Sequence, residues 1–408
     1  MSYEDINRCL GCKTKPCQNG CPLNNDITDV IGLLKEGKEK EAYQLLCNTT
    51  VFSAVCGRIC PHQKQCEGKC LRQKIDGAIH IGAVEAALAD KYLSIPYEKS
   101  NEFANRRVAV IGGGPAGLSC AAFLARKGVK TTVYEKREML GGILRYGIPD
   151  FRLDRDILDK TIAKIINLGI EVKSGCELGK NIFLDELKAE YDAIVLAIGA
   201  NKSRKMNIPG EELANVYGAN EVLEYGTFND YHGKTVAISG GGNVAMDCAR
   251  IINRLGAKRT IVIYRRSEKE MPAEAKEIAM AKEEGIEFLF TTNILKILGN
   301  EKAEGLQLIK TELVKRENEN RLFPVNIKGS EFEIPIDYVY MAVGSAVSDI
   351  TKELGLAMEW SKIKVDENKR TSDSKIYACG DLIDGKGTVA YACRYGRDAA
   401  EAILKSFE

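Results

Sequence analysis

The stretch VAVIGGGPAGLSCAAFLARKGVKTTVYEKR, residues 108–137, decides the fold of most of this 408-residue chain. It reads as an apolar strand, a glycine-rich turn, an amphipathic helix and a second strand. A second stretch, VAISGGGNVAMDCARIINRLGAKRTIVIYRR at residues 236–266, repeats this order nearly element by element. Such an alternation is typical of a parallel α/β sheet. The repeat therefore predicts two such sheets in one chain.

A weaker repeat organises the rest of the chain. AIVLAIGA at residues 193–200 resembles YVYMAVGS at 338–345, and both are apolar strands that end at a glycine. The simplest organisation inserts the second α/β domain into the first, with an exit near residue 225 and a return near 345. The predicted domains are a mainly α-helical one at 1–100, a first α/β domain at 101–225 and 345–408, and the inserted domain at 226–344.

Composition and charge exclude several classes of protein. The chain has 45% hydrophobic residues, and its 58 Lys and Arg nearly balance its 57 Asp and Glu. A globular protein is expected, without the basic field that nucleic acid or an anionic membrane surface would attract. The first residues, MSYEDINRC, have no apolar signal segment, and no apolar run approaches a membrane span. We expect a cytoplasmic protein with neither nucleic acid nor membrane as a partner.

The two glycine turns have the spacing of dinucleotide-binding loops. Each follows an apolar strand and opens a helix, whose N-terminus offers free N–H groups to a pyrophosphate. The positions concerned are Gly112, Gly114 and Gly117 in the first loop, and Gly240, Gly242 and the small Ala245 in the second. The pair of loops predicts two bound dinucleotides.

The ends of the second strands distinguish the two nucleotides. Glu135 ends the first, where a carboxylate accepts hydrogen bonds from ribose hydroxyls and repels a 2′-phosphate. This favours FAD or NAD. At the matching place in the repeat stand Tyr264, Arg265 and Arg266, and guanidinium groups suit a 2′-phosphate. NADPH is favoured there over NADH, although a solvated basic turn would look the same.

The C-terminal stretch IYACGDLIDGKGTVAYACRYGRDAAEAIL, residues 376–404, has a strand, then Gly380 and Asp381, then a helix that opens near Thr388. It resembles the second FAD fingerprint of the two-dinucleotide-binding flavoproteins, which include the pyridine nucleotide–disulfide reductases. The resemblance implies FAD in the first domain and NADP in the inserted one. It also implies contacts of Asp381 with the ribityl or phosphate region and a helix N-terminus at the isoalloxazine. A simple strand-end turn is the alternative.

No redox-active cysteine pair follows the first α/β unit. The segment GGILRYGIPDFRL at residues 141–153 contains no cysteine, and the inserted domain has only Cys248. A thiol-exchange exit for electrons is therefore not expected. Nine of the 14 cysteines instead lie within the first 70 residues, which is typical of metal ligands in a reducing compartment.

The N-terminal cysteines form two groups. CLGCKTKPCQNGC at residues 9–21 has the pattern C-x2-C-x4-C-x3-C followed by proline, and CGRICPHQKQCEGKC occupies residues 56–70. The first pattern nearly reproduces the run of two-cluster ferredoxins, with a longer middle gap. Zinc could also bind four thiolates, but a zinc site would give the electrons of a flavin no route out of the protein. Disulfides conflict with an intracellular nucleotide enzyme.

Nearly the whole chain resembles one family, the small subunit of NADPH-dependent glutamate synthase. That family includes the flavin part of dihydropyrimidine dehydrogenase and the large subunit of the ferredoxin–NADP transhydrogenase. The resemblance rests on RCLGCKTKPCQNGCP, CGRICPHQKQCEGKC, IHIGAVE, GGGPAGL, GGILRYGIPDFRL, GGGNVAMDCAR followed by YRR and MPA, and ACGD. It implies cofactor contacts within these motifs that also include Pro115, Ala116, Gly142, Arg145 and Asn243.

The resemblance also allots the metal ligands. One [4Fe–4S] cluster would take Cys9, Cys12, Cys17 and Cys70. The other would take Cys21, Cys60 and Cys66, with Glu85 at the place where the family often has a Gln or Glu ligand. An exposed helix glutamate is the alternative for that residue. Cys47 and Cys56 have no ligand role in this scheme.

The predicted function is an NADPH oxidoreductase that transfers hydride to FAD and single electrons through two [4Fe–4S] clusters to a partner subunit. Hydride transfer requires no side-chain acid or base, so we expect no catalytic residue of that kind. His62, His80 and His232, the only histidines, are expected to be structural or on the surface. The first choice of partner is the glutamate synthase large subunit. A pyrimidine-reducing subunit, a ferredoxin–NADP-type reaction in the reverse direction, and a zinc-stabilised nucleotide-binding module are the alternatives.

Overall fold

The computed structural model describes residues 4–226, 229–316 and 321–408. These residues belong to two compact units. The first comprises Met1–Arg145, Asp150–Ala200 and Val347–Glu408, and the second comprises Tyr146–Pro149 and Asn201–Ala346. The second unit is thus largely one insertion within the first.

The N-terminal part of the first unit is helical. Its core is formed by apolar residues at three- and four-residue spacing, such as Ile27, Val30, Ile31 and Leu34, which are all buried. Short 3₁₀ turns link the helices at Glu4–Arg8, His62–Lys64, Glu67–Lys69 and Leu71–Lys74. The helices are α1 Pro16–Gly20, α2 Ile27–Lys35, α3 Glu39–Cys47, α4 Ser53–Ile59 and α5 Ile81–Tyr92.

The first α/β part surrounds a parallel five-stranded sheet. Its first segment contains β1 Arg107–Ile111, α6 Pro115–Arg126, β2 Lys130–Glu135, α7 Ile143–Tyr146, α8 Arg155–Ile166, β3 Glu171–Ser174, α9 Leu184–Glu190 and β4 Ala193–Leu196. The chain later returns to it, after Ala346, with the strand Ile376–Ala378 and a C-terminal helix. The central strand β1 pairs with β2 on one side and β4 on the other, and Val108–Ile111 is buried.

The second unit repeats this arrangement. Its elements are β5 Lys202–Ser203, β6 Val216–Gly218, α10 Ala219–Tyr225, β7 Thr235–Ser239, α11 Asn243–Arg254, β8 Arg259–Tyr264, α12 Ala275–Glu283, β9 Glu287–Phe290, β10 Thr292–Leu298, β11 Gly305–Lys315, β12 Leu322–Asn326, β13 Phe332–Pro335, β14 Tyr338–Met341 and β15 Ser345–Ala346. The parallel sheet has the order β6-β14-β7-β8-β9. An antiparallel sheet of β10 to β13, which the sequence analysis did not predict, precedes β14.

The chain then re-enters the first unit. It forms the hairpin β16 Met358–Glu359 and β17 Lys362–Ile363, the edge strand β18 Ile376–Ala378 and the long helix α13 Val389–Phe407. The first sheet consequently has the order β18-β4-β1-β2-β3. No helix within the described ranges is long and apolar enough to cross a membrane.

The predicted α/β fold with two nucleotide-binding sheets is confirmed. The weaker repeat also has a structural meaning, because β4 and β14 occupy the same place beside the central strands β1 and β7. The compact units separate at residues 200/201, earlier than the predicted exit near 225, since β6 pairs with β14. The assignment of a cofactor to each predicted domain stays a prediction.

Candidate cofactor sites

The first glycine loop joins β1 to α6 in a tight turn. Gly112 has φ +113°, which side chains disfavour, and a methyl group on Gly117 would lie 1.9 Å from the Gly112 carbonyl oxygen. Both positions therefore require glycine. The N-terminus of the twelve-residue helix α6 follows directly, so its free N–H groups are available to a phosphate.

Glu135 at the end of β2 fixes the same loop. Its Oε2 accepts from the Gly113 N–H at 2.8 Å, and its Oε1 accepts from the Arg137 N–H at 3.0 Å. The carboxylate is nearly buried, at 6% exposure. It is thus held beside the glycine loop, as the predicted contact with an adenosine ribose requires.

Two further predicted residues lie next to this loop. A methyl group on Gly142 would be 2.7 Å from the Gly114 Cα, so the two backbones are in contact. Arg145 donates from Nε to the Leu140 carbonyl at 2.7 Å and pairs with Asp159. The guanidinium therefore stabilises the turn before α7, and a contact with the cofactor stays a prediction.

The C-terminal fingerprint meets the first glycine loop. A methyl group on Gly380 would lie 2.8 Å from the Ala116 Cβ, and burial raises the pKa of the neighbouring Asp381. Thr388 caps α13, and its hydroxyl accepts from the Tyr391 N–H at 3.4 Å. Lys362 Nζ donates to the Asp381 carbonyl at 3.3 Å. No sequence pattern singled out this lysine, because its hairpin has no recognisable motif.

The second glycine loop joins β7 to α11, where Ala245 is fully buried. The MPA segment closes over this loop, because the Ala273 N–H donates to the Gly241 carbonyl at 3.0 Å. Asn243 at the start of α11 accepts from the Glu274 N–H at 2.9 Å. Tyr264, at the place of Glu135 in the repeat, covers Gly241 with its ring. The second repeat thus has the Tyr264 hydroxyl, which donates to the Glu270 carbonyl, where the first repeat has the Glu135 carboxylate.

The two predicted arginines occupy different environments. Arg265 is exposed, whereas Arg266 is 5% exposed and its Nε has no hydrogen-bond acceptor among the described residues. A buried guanidinium N–H without an acceptor is costly, and an anionic ligand would satisfy it. The residues present therefore fit a 2′-phosphate, and the assignment to NADP stays a prediction.

The first cysteine group lines a small cavity. The cysteines that line it are Cys9, Cys12, Cys17 and Cys70. Burial raises the pKa of the Cys17 thiol, whose Sγ lies 3.8 Å from the Thr28 hydroxyl. Since metal centres bind the thiolate, iron binding at this cavity would release protons. The structure thus brings together the four residues allotted to one cluster.

The second group is assembled where α4 and α5 touch. A methyl group on Gly57 would be 2.5 Å from the Ala86 nitrogen, so only glycine permits this approach. It places Cys60, at the end of α4, near Glu85 on α5. Burial is the main cause that raises the pKa of the Cys66 thiol, and the nearby Cys21, Glu85 and Cys60 add to it. Burial also raises the pKa of the Cys21 thiol, to about 12.

Glu85 is buried rather than on an exposed helix face. Glu85 is only 9% exposed, and burial raises the pKa of its carboxyl group to about 8. Its Oε1 has no hydrogen-bond partner within the described part of the chain. An unsatisfied carboxyl oxygen among three thiols fits a metal ligand, and this role of Glu85 stays a prediction.

The side-chain arrangement bears on the choice between zinc and iron–sulfur clusters. Within residues 4–226, 229–316 and 321–408, no three His, Cys, Asp or Glu side chains converge as closely as a single metal ion requires. Four thiolates around zinc lie about 2.3 Å from one centre, whereas the irons and sulfides of a cluster hold its thiolates farther apart. All fourteen cysteines are free thiols. Neither cysteine group is therefore closed by disulfides.

The histidines lie mainly on the surface. His80 and His232 are exposed, and His232 Nδ1 lies 2.9 Å from Asp230. His62 is half-buried, with its ring against Gly82 one turn before Glu85. Their predicted structural role stays a prediction.

Replacing Glu85 by alanine is expected to change one cluster only. The other cluster draws on the separate thiol cavity, so its electron paramagnetic resonance (EPR) signal should persist unchanged in the reduced protein. Iron per chain should fall from roughly eight toward four, the content of one cluster. Glu67→Ala is the control, because this half-buried carboxylate accepts from the Gly82 N–H at 3.0 Å and has no predicted ligand role. An unaltered spectrum in the Glu85→Ala variant would remove Glu85 from the ligand set.

Comparison with known proteins agrees with this geometry. Residues 106–396 match the pyridine nucleotide-disulphide oxidoreductases, and residues 1–95 match the 4Fe-4S cluster domain II of dihydropyrimidine dehydrogenase. The glutamate synthase [NADPH] small chain of Halomonas elongata is 35% identical over 98% of this chain and 89% of its own length. The chain belongs to the glutamate synthase small-chain family.

Other relatives have similar identities to this chain. The glutamate synthase [NADPH] small chain of Escherichia coli K12 is 34% identical over 98% of this chain and 90% of its own length. The NADPH-Fe(3+) oxidoreductase subunit beta of Geobacter sulfurreducens is 33% identical over 94% of this chain and 58% of its own. The family, the oxidoreductase class and the cofactors FAD, NADP and [4Fe–4S] are thereby confirmed as predicted.

Solved structures show the fold of the two sheets. FprA of Mycobacterium tuberculosis in complex with NADPH superposes with a TM-score of 0.66 at 19% identity, over 74% of this chain and 84% of that one. Thioredoxin reductase of T. acidophilum gives a TM-score of 0.57 at 19% identity, over 74% of this chain and all of that one. At such identities the likeness concerns the fold alone.

Proposed function

We propose that this member of the small-chain family oxidises NADPH and supplies the electrons to a partner subunit. The main support for this function is that one compact unit contains both the glycine loop bound by Glu135 and the cavity lined by four cysteines. A dinucleotide site and an iron–sulfur site in one unit provide an entrance and an exit for electrons. The fourteen free thiols are consistent with a cytoplasmic location.

The chain's own residues bind and orient the cofactors. Gly114 and Gly142 let two backbone segments approach closely at the first loop, Glu135 would bind a ribose, and Arg265 and Arg266 would bind a 2′-phosphate. Bound FAD and clusters supply the conversion of a two-electron donor into one-electron steps. No side-chain acid or base is required, so the protein contributes placement and electrostatics.

The partner that the comparisons favour is a glutamate synthase large subunit. Small chains of that name align with 98% of this chain at 34–35% identity. A pyrimidine-reducing subunit is the second candidate, because the N-terminal region matches domain II of dihydropyrimidine dehydrogenase. In both cases the proposed partner would provide the site that consumes the electrons.

Anaerobic purification tests the proposal. The protein should be yellow-brown, with flavin bands above a broad shoulder and roughly eight irons per chain. Addition of NADPH should bleach both features, and glutamate formation should appear only when a large subunit is added. Zinc without iron would contradict the electron-transfer function, and bleaching without glutamate formation would contradict the choice of partner alone.

Replacing Arg265 by alanine is expected to reduce kcat/KM for NADPH with an artificial acceptor by about tenfold or more, with little change for NADH. The exposed guanidinium is placed to bind a 2′-phosphate, and a charge-assisted hydrogen bond contributes about 1.5–3 kcal/mol. Arg259→Ala is the control, since Arg259 begins strand β8, which ends just before Arg265, and pairs with Glu287 at 2.8 Å. Wild-type preference for NADH would defeat the assignment.

A further inference from the structure

Arg72 belongs to the cavity lined by four cysteines, and the proposed function gives it no role. It lies in the short turn Leu71–Lys74 directly after Cys70, and its side chain is among those that line the cavity. Its Nε is buried and has no hydrogen-bond partner within the described part of the chain. A buried guanidinium N–H without an acceptor is costly. This N–H therefore requires an acceptor, which a group bound in the cavity would supply.

An ion pair holds another part of the same guanidinium. Arg72 Nη2 donates to the Asp76 carboxylate, four residues along the chain. Asp76 is in turn fixed by Arg8, whose Nη2 lies 3.1 Å from Oδ1 and donates to the Asp76 carbonyl at 2.9 Å and the Gly77 carbonyl at 2.6 Å. Arg8 directly precedes Cys9, so these contacts join the segment of Cys9 to that of Arg72. The Arg72 side chain is thus anchored beside the cavity, while its Nε–H is left for another partner.

The lining of the cavity limits what this acceptor can be. Besides the cysteines and Arg72, the lining includes Thr28, whose hydroxyl lies 3.8 Å from the Cys17 Sγ. The other lining side chains are apolar, namely those of Leu10, Pro16, Ile31, Leu71, Ile79 and Ile81. A guanidinium is permanently protonated and only donates hydrogen bonds. Thiols, an apolar wall and one anchored cation together suit a sulfur-rich anion, and the iron–sulfur cluster expected in this cavity is such a group.

We propose that the Nε–H of Arg72 donates a hydrogen bond to a sulfur of the cluster in the four-cysteine cavity, and thereby raises the reduction potential of that cluster. Reduction adds one negative charge to the cluster, so a charged donor stabilises the reduced state more than the oxidised state. The guanidinium keeps its charge at all physiological pH values, so the effect involves no protonation step. The inference rests on the proposed function, because it requires a cluster in this cavity.

The test compares Arg72→Gln and Arg72→Lys with the wild type in the full chain, purified anaerobically with its clusters. Redox titration followed by EPR gives the potential of each cluster, and the signal that Cys70→Ala abolishes identifies the cluster in the cavity. Arg72→Gln should lower that potential alone, by about a tenfold change in the reduction equilibrium, which is about 59 mV for a one-electron couple. Arg72→Lys keeps the charge without the Nε–H, so its potential should lie between the other two.

Labelled arginine detects the contact itself. Pulsed EPR of the same cluster in the wild type should show a nitrogen coupling that changes when the arginine carries the heavy nitrogen isotope, and this coupling should be missing in Arg72→Gln. The absence of any arginine coupling in the wild type would overturn the inference. This measurement also decides the case in which Arg72→Gln loses iron, because it needs no variant at position 72.

The matched control is Lys74→Gln, which removes a cation from the same turn at an exposed residue outside the cavity lining. Solvent and salt screen this charge, so both potentials should stay at their wild-type values. Unchanged potentials in Arg72→Gln, or an equal fall in the control, would contradict the hydrogen bond. Wild-type protein without iron would overturn the proposed function as well, which distinguishes the two failures.

Discussion

Replacing Cys70 by alanine should remove one of two clusters and nearly abolish electron delivery to a protein acceptor. Cys70 lines the same cavity as Cys9, Cys12 and Cys17, and a cubane deprived of one thiolate exposes an iron to solvent. Iron should fall from roughly eight to about four per chain. Delivery to the proposed partner subunit should drop about a hundredfold, equivalent to ~2.7 kcal/mol. NADPH-dependent reduction of a small acceptor that reacts directly with flavin should remain.

The matched control for this experiment is Cys176→Ala. Cys176 lies in the same compact unit, is half-buried, and its Sγ donates to the Ser174 carbonyl at 3.6 Å. It has no predicted ligand role, so iron content, EPR signal and electron delivery should equal those of the wild type. A Cys70→Ala protein with full iron content and two intact EPR signals would show that the cavity binds no cluster.

Replacing Glu135 by alanine is expected to yield protein that loses its flavin during gel filtration. The carboxylate organises the loop through two backbone N–H groups at 2.8 and 3.0 Å, besides its predicted contact with the ribose. Hydrogen bonds to a charged group contribute about 1.5–3 kcal/mol each, so the loss of two weakens FAD binding by about a hundredfold or more. The ratio of flavin absorbance to protein measures this directly.

Two variants sharpen the Glu135 experiment. Glu171→Ala removes a carboxylate on the neighbouring strand β3, where it accepts from the Thr132 hydroxyl at 2.9 Å, and flavin content should not change. Glu135→Gln keeps an acceptor oxygen but not the charge, so it should retain more flavin than the alanine variant. Full flavin occupancy in Glu135→Ala would place the FAD elsewhere.

The repeat within the sequence predicts the larger part of the fold for a physical reason. Each glycine loop specifies its own turn, strand and helix, because Gly112 and Gly240 both have strongly positive φ angles. The local pattern thus identifies β1, β2, β7 and β8 without knowledge of their partners. The short edge strand β6 has no such signature, so its pairing with β14 could not be predicted and the predicted exit from the first domain falls too late.

The site residues also fall into those that a local pattern predicts and those that it does not. Residues within one loop, such as Gly114 and Glu135, follow from spacing, whereas contacts between distant segments do not. Spacing alone could not assign Cys70 to the group that begins at Cys9, and that pairing came from the resemblance to a family. The burial of Arg266 beside the exposed Arg265 depends on tertiary packing that no local pattern contains.

The insertion of the second unit has a consequence for synthesis on the ribosome. The strand β18 and the helix α13, which complete the first sheet and meet its glycine loop, are made after the whole inserted unit. Arg397 bonds the carbonyl of Leu23, 374 residues earlier in the chain. Contacts of such separation form late and slowly, and domains generally fold as the chain emerges. The nascent N-terminal half must therefore wait with an incomplete glycine-loop site until β18 and α13 have been made, while the inserted unit can already fold.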